Sequence, residues 1–127
     1  MRYFIQIAFN GSEYHGWQRQ PNALSVQEAL EEALSALLAS EISIVGAGRT
    51  DAGVHAEQIY AHFDFENLLD LADLTHKLNR FLSKSIAVRD IRKVSKEAHA
   101  RFDATSRSYR YLIETEKNPF NTDFTHF

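Results

Sequence analysis

Apolar and polar residues alternate along the beginning of the chain, and this period of two predicts a β-strand with one apolar face. The apolar face consists of Tyr3, Ile5, Ile7 and Phe9. Related patterns predict further strands over residues 42–45, 58–65, 86–94 and 107–114. In the strand at 86–94 the pattern breaks near Asp90, which indicates an irregularity in its pairing.

Two other segments have the 3.6-residue apolar periodicity of amphipathic helices. Ser25 opens a capping-box pattern, so the first helix is predicted to begin there and to end near Ser40. Its acidic residues off the apolar stripe, which we expect to face water, are Glu28, Glu31 and Glu32. Asp70 or Asp73 can cap the second helix. Its predicted apolar stripe is Leu71, Leu74, Leu78, Phe81 and Leu82.

The order of these elements is β-α-β-β-α-β with one added strand. It predicts an α+β fold of the ferredoxin-like (RRM-like) type, an antiparallel sheet with two helices on one face. The other face of the sheet would be open, as in domains that bind RNA on such a surface. We assign residues 1–115 to this domain and residues 116–127 to a tail.

Length and composition limit the classes of protein that fit. The chain has 127 residues, which is enough for one domain with a buried core. It contains no cysteine, which excludes disulfides and thiolate metal sites and is consistent with a cytoplasmic location. Its beginning has no long apolar run, so the sequence predicts neither a signal peptide nor a membrane-spanning helix.

The net charge of −3 disfavours a nucleic-acid partner, but the distribution of charge favours one. Residues 1–63 contain three Lys or Arg against seven Asp or Glu, whereas residues 77–110 contain ten against three, a net charge of +7. A basic patch of this kind is what phosphate binding requires. The alternative is an ordinary solvated helix end and edge strand.

The segment with the most candidate chemistry is the loop of residues 46–56, which is mostly Gly and Ala around one cation, one carboxylate and one imidazole. Such a loop allows another molecule to approach the backbone closely. Arg49 lies two residues before Asp51, where it can keep the carboxylate ionised for use as a nucleophile or base. The alternative is a tight turn between strands with a surface ion pair.

Two further groups allow two interpretations each. Trp17, in an aromatic and amide-rich loop, either stacks on a nucleobase or packs in the core. His55 and His62 could bind a metal ion together with Asp51 or Asp64. Gly53 makes a helix across the loop improbable, so we predict no metal site and interpret His55 as a structural hydrogen-bonding group.

Three blocks of sequence resemble the tRNA pseudouridine synthase A family. The first is Asn10-Gly11-Ser12 with Gly16-Trp17-Gln18-Arg19-Gln20-Pro21. The second is Gly48-Arg49-Thr50-Asp51-Ala52-Gly53-Val54-His55-Ala56. The third is His99-Ala100-Arg101-Phe102-Asp103-Ala104 followed by Arg107-Ser108-Tyr109-Arg110-Tyr111. The blocks occur in the family's order and span most of the chain, so the resemblance is specific.

The resemblance implies an isomerase that converts uridine to pseudouridine in the anticodon stem-loop of tRNA, with no cofactor and no metal. Asp51 would be the nucleophile, Arg49 its electrostatic partner and Tyr109 the residue that stacks on the target base. The family positions that contact tRNA and assist base flipping match His99, Arg101 and Phe102. Further RNA-binding candidates are Arg19, Arg107 and Arg110.

The chain departs from the family in three ways, one of which, Leu82-Ser83-Lys84-Ser85 in place of the family's Leu-Pro-x-Asp, is expected to alter only a turn. Ala98 stands where the family usually has Phe, so one contact that assists flipping is expected to be weaker. Members are about twice as long, and a C-terminal domain supplies the other wall of the cleft. We therefore expect an N-terminal half with little activity alone, and a homodimer in the full-length protein. The rival interpretations are a non-catalytic RNA-binding domain and a metal-dependent hydrolase.

Overall fold

A computed structural model describes residues 1–21, 23–48 and 53–100. Four strands form one antiparallel sheet: β1 (Arg2–Phe9), β2 (Ile44–Gly46), β3 (Ala56–Asp64) and β4 (Ile86–Val94). Two helices, α1 (Val26–Leu38) and α2 (Leu71–Phe81), and a 3₁₀ turn (Gly11–Glu13) complete the described elements. The strand order β2-β3-β1-β4 is that of a ferredoxin-like α+β fold, which confirms the predicted class. None of the described helices has the length and apolar character needed to cross a membrane.

β1 lies at the centre of the sheet, between β3 and β4. The four residues predicted to form its apolar face are buried in the core: Tyr3, Ile5, Ile7 and Phe9. Gln6 pairs with Asp90 but Ile7 pairs with Val88, so Arg89 is an extra residue in β4. This β-bulge confirms the predicted irregularity near Asp90.

The helix boundaries follow their capping residues. The side chain of Ser25 accepts a hydrogen bond from the backbone N–H of Glu28, as predicted, and Ala39 ends α1 in the left-handed conformation with φ +50°. Asp70, rather than Asp73, caps α2, because its carboxylate accepts from the backbone N–H of Asp73. Both helix starts were therefore predicted within a residue or two.

Two details of the predicted helix faces are wrong. Phe81 is 54% exposed because it is the last residue of α2, and the chain turns Leu82 into the core instead. Glu31 does not face water; it is buried at 8% exposure. The strand predicted at 107–114 and the tail at 116–127 lie outside the described residues.

Candidate functional site

The chain enters the loop of residues 46–56 through a segment that is fixed to the sheet, which we call the incoming limb (residues 46–48). The backbone N–H of Ala47 donates to the carbonyl of Tyr60 over 2.8 Å. Gly46 is buried against the indole of Trp17, and a Cβ atom there would come within 2.5 Å of the ring. Only glycine therefore fits at this position without moving Trp17.

Trp17 is 3% exposed and packs beside Phe9, with 6.5 Å between the ring centroids. This decides between the two interpretations of Trp17 in favour of packing. Its ring supports the incoming limb from the core side and is not presented for stacking on a nucleobase.

The chain leaves the loop through a second fixed segment, the outgoing limb (residues 53–55). The backbone N–H of Gly53 donates to the carbonyl of Tyr14 over 3.2 Å, and Gly53 has φ +80°. The backbone N–H of Gly11 donates to Nδ1 of His55 over 2.9 Å. His55 is thus a structural hydrogen-bonding group, as predicted, and this bond requires Nδ1 to be unprotonated.

The outgoing limb and the 3₁₀ turn approach each other more closely than any side chain would allow. A Cβ atom on Gly11 would lie 1.9 Å from the carbonyl oxygen of Val54. The turn is itself tied to the start of β4, since the hydroxyl of Tyr14 is 2.7 Å from Oγ of Ser85 and the N–H of Asn10 donates to the Ser85 carbonyl. The outgoing limb therefore rests on a rigid support.

Sequence reasoning missed the support formed by Gly11 and Tyr14. Tyr14 belongs to the same aromatic and amide-rich loop as Trp17, and it too is buried, at 5% exposure. No local pattern reveals that its carbonyl receives the N–H of a residue 39 positions later in the chain. The Asn-Gly-Ser turn could be predicted from the sequence, but its contact with the outgoing limb could not.

Arg49 and Asp51 lie outside the described residues, in the short stretch that connects the two limbs. Arg101, Phe102, Arg107, Tyr109 and Arg110 also lie outside them. The structure thus describes the two supports of the loop and two of the predicted RNA-binding residues, Arg19 and His99.

Arg19 contacts two acidic side chains of α1. Its Nε donates to Glu31 over 2.9 Å, and its terminal nitrogen lies 3.3 Å from Glu28. The second carboxylate oxygen of Glu31 accepts the backbone N–H of Ile44 over 2.9 Å. Glu31 therefore connects the loop that carries Arg19 to the beginning of β2, which explains its burial.

His99 belongs to a segment of residues 98–100 that crosses the face of the sheet opposite the helices. We call this face of the sheet the open face. The ring of His99 meets the ring of His62 edge-on, with 4.6 Å between the ring centroids. The backbone N–H of Ala100 donates to Nδ1 of His62 over 3.0 Å. Burial lowers the pKa of His62, and the positive charge of Arg2 and the ring of His99 lower it further.

At the same end of the sheet, Arg2 forms a bidentate pair with Asp64, at 2.8 and 3.0 Å. This hydrogen bonding lowers the pKa of the Asp64 carboxyl below its ordinary value. A third nitrogen of Arg2 donates to the carbonyl of Ala98 over 2.9 Å. Arg2 thus holds the segment that leads into the predicted RNA-binding run.

Some cations of the predicted basic patch are paired with acids. Lys77 lies 2.9 Å from Asp73, and Arg92 lies 2.7 Å from Asp90. Across residues 1–21, 23–48 and 53–100, no three His, Asp or Glu side chains are grouped so that they could hold a metal ion.

Comparison with known proteins finds a matching family model and several similar curated proteins. A family model described as tRNA pseudouridine synthase matches residues 5–103. A protein of Bacteroides thetaiotaomicron named tRNA pseudouridine synthase A is 54% identical over 123 residues, which cover 97% of this chain and 46% of that protein. The protein of the same name from Parabacteroides distasonis is 55% identical over 126 residues, covering 98% and 50%.

More distant relatives show the same coverage. The tRNA pseudouridine synthase A of Pseudoalteromonas translucida is 43% identical over 132 residues, which cover all of this chain and 49% of that protein. The chain spans about half the length of the curated relatives it matches.

Proposed function

Because the chain belongs to the tRNA pseudouridine synthase family, we propose that it supplies the catalytic loop of an enzyme that isomerises uridine to pseudouridine in the anticodon stem-loop of tRNA. The observation that carries the proposal is the fixation of both limbs beside Asp51. The incoming limb is bonded to Tyr60 and the outgoing limb to Gly11 and Tyr14. A loop held at both sides is a suitable mount for a nucleophile, since small displacements of a reacting group are costly.

Asp51 is the proposed nucleophile and Arg49 its electrostatic partner, which keeps the carboxylate ionised. The target base must first leave its stack, which costs a few kcal/mol. Asp51 then forms a covalent bond to the nucleotide, at C6 of the uracil or at C1′ of the ribose, the glycosidic bond between N1 and C1′ breaks, and the base turns. C5 becomes bonded to C1′, and the bond to Asp51 breaks again, which regenerates the carboxylate. N1 gains a proton and C5 loses one, so substrate and product are isomers and no cofactor is consumed. Tyr109 is proposed to stack on the base.

The remaining residues are proposed to hold the RNA. His99, Arg101 and Phe102 supply a donor, a phosphate-binding cation and a stacking ring, and Arg107 and Arg110 add positive charge. The contribution of Arg19 is expected to be the smallest, because Glu28 and Glu31 already offset its charge. The side chain of Arg19 is nevertheless 48% exposed and can reach a phosphate.

The activity is proposed for a chain of the relatives' full length, of which residues 1–115 form the N-terminal domain. A second domain would supply the other wall of the cleft, and the whole protein is proposed to act as a homodimer in the cytoplasm. We expect residues 1–127 alone to form little or no pseudouridine. Near-normal single-turnover activity of these 127 residues would contradict that expectation.

The test is pseudouridine formation on an unmodified tRNA anticodon stem-loop by a chain of the relatives' length, with and without Asp51→Asn. We expect Asp51→Asn to abolish product while RNA affinity is unchanged. Glu32→Gln, which alters an exposed carboxylate of α1, is the matched control and should retain activity. Activity that survives Asp51→Asn would refute the nucleophile. Tight RNA binding without product in either form would favour the non-catalytic RNA-binding domain.

A further inference from the structure

His62 is a buried titratable residue that the proposed reaction does not use. It lies on β3 at 4% exposure, although the alternation of the strand places it on the open face. Its cross-strand neighbours on that face are Val45 of β2 and Phe4 of β1. The ring of Phe4 stacks on it with 6.3 Å between centroids. What buries His62 is the segment of residues 98–100.

That segment is attached to the open face at three consecutive residues. The guanidinium of Arg2 donates to the carbonyl of Ala98, the ring of His99 meets the edge of His62, and the N–H of Ala100 donates to Nδ1 of His62. Ala100 is 4% exposed. His62 provides two of these three contacts, so its side chain contributes directly to the position of the segment.

We infer that His62 is a positioning residue for the RNA-binding run that begins at His99. It fixes the backbone of Ala100 on the sheet, and Ala100 directly precedes Arg101 and Phe102 in the chain. Consecutive Cα atoms are only about 3.8 Å apart, so a shift at Ala100 is passed directly to Arg101. This inference rests on the proposed function, because the residues that follow Ala100 are its proposed RNA contacts.

The hydrogen bond between the N–H of Ala100 and His62 can form in only one protonation state of the imidazole ring. Nδ1 can accept the N–H of Ala100 only while it carries no proton, so the neutral ring must be protonated at Nε2. Protonation of Nδ1 would place its N–H opposite the backbone N–H of Ala100. The two donors would repel each other, and Ala100 would be released. The groups that influence this ring are Arg2 of β1 and His99 of the crossing segment, which disfavour its positive charge, and Asp64 of β3, which favours it.

Two substitutions of His62 distinguish the contribution of its flat ring from that of the hydrogen-bond acceptor Nδ1. His62→Phe keeps a flat ring but leaves the N–H of Ala100 without a partner. His62→Asn gives up the ring but offers Oδ1 near the place of Nδ1, and it cannot titrate. His76→Asn, at an exposed position of α2, is the matched control.

The first measurement is amide hydrogen exchange at Ala100 in this chain, which does not depend on any activity. We expect protection at pH 7.5 in the wild type, the His62→Asn variant and the control. We expect that protection to be lost in His62→Phe, and in the wild type once the pH has fallen below the lowered pKa of the His62 ring. Equal protection in all four proteins at every pH would overturn the inference.

The second measurement is affinity for the tRNA anticodon stem-loop in a chain of the relatives' length. We expect His62→Phe to weaken binding about five- to tenfold, as the loss of one hydrogen bond predicts, and His62→Asn to recover most of it. As the pH falls from 7.5 through the lowered pKa of His62, the wild type should lose affinity relative to His62→Asn. This loss of affinity with pH indicates positioning. A merely structural role of His62 would lower the stability of both variants but would not make RNA affinity depend on pH.

The outcomes also separate this inference from the proposed function. If the wild type forms pseudouridine and all variants bind RNA equally above and below the lowered pKa of His62, the inference is wrong and the proposed function stands. If the wild type neither binds RNA nor forms product, the proposed function fails and the inference with it. If His62→Phe does not fold, the comparison of the wild type with His62→Asn across pH still decides.

Discussion

Gly11 and His55 are 44 residues apart in the chain, and the backbone N–H of Gly11 donates to Nδ1 of His55 over 2.9 Å. This bond joins the 3₁₀ turn after the first strand to the outgoing limb of the loop. Asp51 lies four residues before His55, so the bond fixes one of the two supports nearest the proposed nucleophile. Through its bond to Gly11, His55 can thereby influence where the proposed nucleophile is held.

Replacing His55 tests this control. His55→Ala is expected to slow pseudouridine formation about 10- to 100-fold at unchanged RNA affinity, because a small misplacement of a reacting group has effects of this size. His55→Asn places Oδ1 near the position of Nδ1 and should restore most of the rate. The measurement is a single-turnover assay with a parallel binding titration. Equal rates for the Ala and Asn variants would show that the acceptor is not what matters.

Gly11→Ala is expected to destabilise the fold by about 1–3 kcal/mol or more, because the added methyl group meets the carbonyl oxygen of Val54 and forces the backbone apart. The comparison is Gly46→Ala, whose methyl group meets the Trp17 ring, a side chain that has more freedom to adjust. Urea unfolding measures both. We expect the larger loss for Gly11→Ala, and the reverse order would contradict the close approach of the turn and the outgoing limb.

Glu31→Ala is expected to lower the free energy of unfolding by about 2–3 kcal/mol, since it leaves the N–H of Ile44 without an acceptor inside the protein. It also releases the Nε of Arg19. Glu32→Ala, one residue later on the exposed face of α1, is the control and should change stability by less than about 0.5 kcal/mol. Chemical denaturation of both variants measures their free energies of unfolding. Equal losses in the two variants would exclude a special role for Glu31.

The Arg2–Asp64 pair predicts a pH dependence of stability. The pKa of Asp64 is lowered from its ordinary value of 3.8, first by the hydrogen bonds from Arg2. The stabilisation is therefore complete above that ordinary pKa and is lost as the pH falls through the lowered one. Asp64 is 61% exposed, so the effect should stay below about 1 kcal/mol.

Asp64→Asn is the variant that measures this pH dependence. It should be slightly less stable than the wild type at pH 7. The difference should shrink as the pH falls below 3.8 and disappear only below the lowered pKa of Asp64, where the wild-type carboxyl also becomes neutral. Thermal unfolding between pH 7 and pH 2.5 measures it. A difference that persists at the lowest pH would indicate a steric rather than an electrostatic cause.

The fold was largely predictable because its signals are local. The alternation of Tyr3, Ile5, Ile7 and Phe9 and the cap at Ser25 depend only on residues close in sequence, and both were confirmed. Glu31 was misplaced for the opposite reason. Spacing put it on a polar face, but Arg19 and Ile44 cover it. The burial of His62 likewise depends on a segment distant in sequence, residues 98–100.

The motifs of the candidate site were predictable from the sequence, but the contacts that support its loop were not. The loop of residues 46–56 was evident from its composition, and His55 was correctly interpreted as structural. Its partner Gly11, and the packing of Trp17 on Gly46, depend on contacts between residues about 30 to 45 positions apart. Periodicity contains no information about such pairs.

The central place of β1 has a consequence for folding during synthesis. Arg2 pairs with both Asp64 and Val94, so β1 is made before either of its two neighbours in the sheet. At about 5–20 residues per second, the 62 residues from Arg2 to Asp64 take roughly 3 to 12 s to make. Throughout that time β1 has no neighbouring strand to pair with, and its apolar face is accessible to a chaperone that binds extended apolar segments.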